Sequence, residues 1–142
     1  MNISKLLYIL LFFSINYTSA LAQKISIKDN IAYIDNKPFL KVSDCGMYAE
    51  DCSISNLDGK EIISIDKLQN QSKPGTYLRV AFKGLNTTIE VNKSMKQLVE
   101  ILQKNNAVDQ NGNLIPENVA LIKEKYGNRF SPKDSDDKFD ND

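Results

Sequence analysis

Residues 76–104, TYLRVAFKGLNTTIEVNKSMKQLVEILQK, contain the change of period that decides the fold. Leu78, Val80 and Phe82 alternate with Tyr77, Arg79 and Ala81. After a turn near Lys83-Gly84, Leu85, Thr87, Ile89 and Val91 alternate with Asn86, Thr88 and Glu90. A period of two gives each segment one apolar and one polar face, as in half-buried strands. From Ser94 the period becomes 3.6. Met95, Leu98, Ile101 and Leu102 form one stripe, and Ser94 with Gln97 three residues on is a capping-box pattern, so a helix of about three turns is expected. Asn105-Asn106 ends it. A second helix is expected from Pro116, whose fixed φ suits a first helical position, with Val119, Ile122 and Tyr126 on one face and Gly127 as its cap.

The two-residue period extends back to residue 24. Ile25 and Ile27 alternate with Lys24, Ser26 and Lys28; Asp29-Asn30 supplies a turn before residues 31–34, and Asp35-Asn36-Lys37-Pro38 a second turn before residues 39–42. This reads as a three-stranded meander. Cys52 to Leu57 and Glu61 to Asp66 flank Asp58-Gly59, the strongest hairpin signal, because a type I′ turn requires positive φ at both central residues. Ile63 and Ile65 are assigned to the core, and residues 69–75 to a polar loop stopped by Pro74-Gly75. The sum is one α+β domain over residues 23–130, with about seven short antiparallel strands followed by two C-terminal helices that cover one face of a curved sheet. Open sheet, small barrel and sandwich all satisfy the pattern.

Residues 1–22 are set apart as a secretory signal peptide. Lys5 precedes a continuously apolar run over residues 6–13, and Ala20-Leu21-Ala22 is a small-x-small cleavage pattern, so the mature chain begins at Gln23. The run is shorter than the ~20 apolar residues a spanning helix needs, and no later segment supplies one. Of 18 basic residues only Lys5 is lost, leaving 17 against 18 acidic ones, a net charge of about −1. So balanced a body does not steer toward nucleic acid or anionic lipid. Residues 131–142 hold five aspartates and are read as an acidic disordered tail.

The chain has no histidine, which removes Ser-His and Cys-His nucleophiles and the usual zinc and copper sites. Its six glycines are scattered singly, so no phosphate-cradling loop exists, and no acidic pair is singled out by spacing. A non-enzymatic protein without cofactors is therefore expected. Cys45 and Cys52 are expected to form a disulfide across the loop 46–51. Six intervening residues and the acidic neighbours Glu50 and Asp51 speak against a redox-active pair, because negative charge disfavours a thiolate. Asp109, Asn111 and Asn113 have the alternate spacing of a calcium loop, and Glu117 could add an oxygen. Leu114 and Ala120 nevertheless stand where an EF-hand needs glycine and glutamate, so a plain interhelical turn is the favoured reading. Asn70-Gln71-Ser72 and Asn86-Thr87-Thr88 are glycosylation acceptor patterns that matter only in a eukaryote. The outward side of the last hairpin, with Tyr77, Arg79, Asn86, Thr88 and Glu90, is the candidate partner-binding face.

The runs at residues 31–39 (IAYIDNKPF) and 54–63 (ISNLDGKEII), with the helix pair ending Glu124-Lys125-Tyr126-Gly127, resemble small exported proteins of unknown function from Bacteroidota. The resemblance spans most of the mature chain and brings no catalytic residues. It implies a periplasmic or secreted setting, in which oxidised cysteines fit. The leading expectation is a binding module for an envelope protein or surface component, acting through its sheet face or edge. The alternatives are binding of a small apolar or lipid-like ligand in a half-closed sheet, and weak calcium regulation.

Overall fold

Asp29 and Asn30 have φ of 51° and 62°, and Asp35 and Asn36 have 50° and 64°. Positive φ at both central residues makes two tight reversals whose twist matches that of the flanking strands. They join β1 (Ile25–Lys28), β2 (Ile31–Ile34) and β3 (Lys37–Val42). The computed structural model describes residues 22–43 and 51–132. The remaining strands are β4 (Asp51–Ser55), β5 (Glu61–Gln69), β6 (Thr76–Phe82) and β7 (Thr87–Val91). All seven pair antiparallel in sequence order, and β1 and β7 stand at opposite ends of one sheet that does not close. Of the three arrangements the pattern allows, the open sheet is the one adopted. Residues 1–21 of the expected signal peptide (1–22), residues 44–50 with Cys45, and residues 133–142 of the expected tail lie outside the described residues.

The Asp58-Gly59 turn differs from the expected type I′ form. Gly59 alone has positive φ, at 90°, and Asp58 does not. Gly59 donates to the Asn56 carbonyl at 3.0 Å, and Asn56 and Lys60 pair at 2.9 Å. The reversal is therefore the longer loop in which a turn is followed by a left-handed glycine. Asn56 fixes it further, its Oδ1 accepting the Lys60 N–H at 2.9 Å.

Two bulges curve the sheet. Ala32 opposes Leu40 while Tyr33 opposes Pro38, so Phe39 is an extra residue in β3; Ile54 opposes Ile63 while Ser55 opposes Glu61, so Ile62 is extra in β5. A bulge suspends strict alternation and increases local twist. Here it lets two consecutive apolar residues, Phe39-Leu40 and Ile62-Ile63, join the same core.

The helices are α1 (Met95–Lys104) and α2 (Pro116–Tyr126). Ser94 caps α1 with both capping-box bonds present, Pro116 starts α2, and Gly127 caps it. The amphipathic face of α1 fills the hollow of the sheet. Val99 packs with Ile25, Ala32 and Val42 of β1–β3, whereas Leu98, Ile101 and Leu102 pack with the residues of β4–β7. On α2, Val119 and Ile122 complete the core beside β7. Each fully buried aliphatic side chain contributes roughly 1.5–3 kcal/mol relative to exposure. Among the described residues no helix is long and apolar enough to cross a membrane.

Candidate functional site

The register of β6 and β7 places Arg79 opposite Glu90 and Ala81 opposite Thr88, on the sheet face turned away from α1. Tyr77, two residues from Arg79, shares that face by alternation. Four of the five residues expected to form a partner-binding face are thus brought together. Asn86 is not: it belongs to the β6–β7 turn, with φ of 48°.

The face is also not solvated as expected. Tyr77 is 5% exposed and Glu90 2%. They are covered by the chain itself, which leaves α2 at Gly127, passes the β7 edge and returns across the outer side of the sheet. The Glu90 N–H donates to the Gly127 carbonyl at 2.9 Å, and Lys123 Nζ donates to the Thr88 carbonyl at 2.6 Å. Phe130 then stacks on Tyr77, with centroids 5.3 Å apart and planes inclined by 22°. Beside it, Glu90 Oε2 accepts the N–H of Phe130 at 2.6 Å and that of Ser131 at 2.8 Å. The Ser131 hydroxyl donates to Glu90 Oε1 and accepts from Arg79 Nη2 at 2.9 Å. Arg79 Nη2 lies 3.9 Å from Glu90 Oε1.

Burial pushes the Glu90 carboxyl up. The Ser131 hydroxyl, the N–H groups of Ser131 and Phe130, and the Arg79 charge together outweigh it and hold the carboxyl below the usual glutamate range. A carboxylate so engaged is a clasp for the segment that follows α2, not a free acid or base. The sequence reading did not find Phe130 and Ser131, and it assigned Ser131 to the tail. An aromatic three residues beyond a helix-capping glycine was the one available signal.

In the Asp109 turn, Val108 and Leu114 form an isolated bridge. Asp109 Oδ1 accepts the N–H groups of Asn111 and Asn113, both at 2.9 Å, so this oxygen organises its own loop. Gly112, with φ of 78°, packs directly on buried Asn56. Glu117 sits in the first turn of α2. Among the described residues no three His, Cys, Asp or Glu side chains are grouped to hold a metal.

Cys52 is on β4, partly buried against the core beside Ile54 and opposite Ile65. Its expected partner, Cys45, lies outside the described residues. At the far end of the sheet, β1 pairs only with β2 among the described residues. A two-residue turn makes Lys28 and Ile31 a hydrogen-bonded pair, and alternation repeats this at Ser26–Tyr33. Consistently, Asp35 N–H donates to the Lys24 carbonyl at 2.8 Å. The backbone groups of Ile25 and Ile27 therefore point outward from the edge. Ile27 is 37% exposed.

No protein-family model, curated protein or solved structure matches the chain.

Proposed function

We propose that this chain is an exported, non-enzymatic binding module, periplasmic or secreted after cleavage near Ala22-Gln23 and stapled by a Cys45–Cys52 disulfide. It engages an envelope protein or surface component by accepting a strand at the edge of β1. The observation that carries this reading is the contrast between the two ends of the sheet. At β7 the Glu90 N–H is taken by Gly127 and α2 packs alongside, whereas the outward groups of Ile25 and Ile27 have no strand beside them among the described residues. A free edge supplies main-chain hydrogen bonds to an extended segment. Its shortness and the flanking Lys24 and Lys28 limit indiscriminate pairing. The same two lysines favour a partner strand carrying acidic residues.

The test is in-cell crosslinking of the tagged mature protein, compared with the Ile27→Pro variant. Proline removes an N–H that points away from β2, and edge strands tolerate it. The expected result is one partner recovered in near-equal amount with the native protein and lost with the variant, while the variant keeps its cooperative melt. Undiminished capture by Ile27→Pro would overturn strand addition.

A further inference from the structure

Beyond the N-terminal end of α1, the hollow of the sheet is not filled by any described residue. A cavity of about 350 Å³ opens there between the ends of β4–β7 and the start of the helix. Its floor includes Cys52, Leu78, Val91 and Met95, and Lys67 and Lys93 stand beside it. Leu78 and Met95 pack on the core yet remain only partly buried, and both line this space. Both lysines are exposed, and neither forms an ion pair with a described residue. Among the described residues no carboxylate lines the cavity. The first turn of α1 contributes little charge to it, because Ser94 and Gln97 already satisfy each other's backbone N–H groups.

We infer that this cavity binds a single-chain amphiphile bearing a carboxylate, with its hydrocarbon on Leu78 and Met95 and its head between Lys67 and Lys93. The pairing follows from complementarity. An apolar floor rewards removal of hydrocarbon from water, and two cations that have no ion-pair partner among the described residues select a negative head. The volume lies at the low end of the ~300–1,000 Å³ found for small-molecule sites, which suits one chain of modest length and not a diacyl lipid. The inference goes beyond the partner reading and stands apart from it, since no β1 residue lines the cavity.

The experiment titrates the intact mature protein with decanoate, 1-decanol and decyltrimethylammonium, followed by the methyl resonances of Leu78 and Met95. Decanoate is expected to shift both methyls saturably, with decanol weaker and the cation weakest. The Lys67→Gln/Lys93→Gln double variant alters only exposed side chains and should weaken decanoate binding about tenfold, as two partly screened charge contacts would. Ile27→Pro should leave binding unchanged, which separates this site from the β1 edge. Unmoved methyls at millimolar decanoate, equal binding of decyltrimethylammonium, or undiminished binding by the double variant would each overturn the site. Binding to phosphatidylglycerol vesicles without binding to decanoate would replace the single-chain ligand by a membrane surface and overturn it as well.

Discussion

Glu90 accepts the backbone N–H of Phe130 at 2.6 Å across forty positions of sequence, and this contact ties the segment after α2 to the outer face of the sheet. The Ser131 N–H and hydroxyl join it on the same carboxylate. Replacing that carboxylate by an amide removes the charge that makes these bonds strong and sets an amide donor where only an acceptor fits. Glu90→Gln should therefore cost roughly 1–3 kcal/mol, the range for disturbing buried bonds to a charged group. Urea denaturation checks this, with faster hydrogen exchange at Ser131 N–H as the local sign. A change within ~0.5 kcal/mol, typical of a surface substitution, would mean that the clasp carries no stability.

The same carboxylate makes part of the stability pH-dependent. Its folded-state pKa is lowered, because the Ser131, Phe130 and Arg79 contacts outweigh the opposing effect of burial. A lowered carboxylate pKa stabilises the fold in full above the unfolded value, about 4.3, and that contribution is lost as pH falls through the folded value. The stability difference between the native protein and Glu90→Gln should therefore be level near neutral pH and shrink below about pH 4.3. A difference that stays constant down to pH 3 would count against the linkage.

Arg79 separates the open-face reading of the hairpin from the clasped one. On an open face, charge reversal there would leave stability almost unchanged. In the clasp, Arg79 Nη2 donates to Ser131 and lies 3.9 Å from a carboxylate, with its side chain 41% exposed. Arg79→Glu deletes that donor and sets two negative charges side by side. It should destabilise by ~1–2 kcal/mol, a loss reduced by added salt because the site is partly screened. Thermal melts at low and high ionic strength provide the measurement.

These contacts mark where the sequence was legible and where it was not. Strand alternation and the shift to a 3.6 period at Ser94 are local, and the seven strands and two helices follow them closely. The bulges had a local trace as well, since Phe39-Leu40 and Ile62-Ile63 interrupt the alternation with adjacent apolar pairs. The turn at Asp58-Gly59 misled because Asp-Gly suits more than one reversal, and Asn56 with its bond to Lys60 selects the longer loop. The clasp had almost no local trace. Glu90 alternates outward like any solvated residue, and its burial depends on a segment forty positions later crossing back over the sheet. Edge burial by a returning chain is a tertiary property that periodicity does not encode.

The proposed Cys45–Cys52 disulfide is open to a chemical test. Under the chain-entropy model, a loop of this length stabilises by roughly 2–3 kcal/mol when unstrained. Thiol alkylation of unfolded, unreduced protein should label neither cysteine, and reduction should expose both and lower the urea midpoint. Two labelled thiols before reduction in protein isolated without reductant would exclude the staple.

Gly112 and Gly59 both have positive φ, at 78° and 90°, yet they should respond very differently to alanine. At Gly59 a Cβ would meet nothing within 4 Å, so the cost is that of the left-handed conformation alone, about 1–2 kcal/mol. At Gly112 the added Cβ would lie 2.5 Å from the Asn56 Cβ, and Asn56 cannot retreat easily, being 5% exposed and bonded through Oδ1 to the Lys60 N–H. Overpacking of this kind adds about 1–3 kcal/mol to the conformational term. Gly112→Ala should therefore be the more damaging by at least ~1 kcal/mol in urea denaturation. It should also disturb the Lys60 amide, because the clash transmits strain from the interhelical turn into the β4–β5 loop. Equal costs at the two glycines would show that the Asp109 turn moves freely away from Asn56, and that the two loops are not a packed unit.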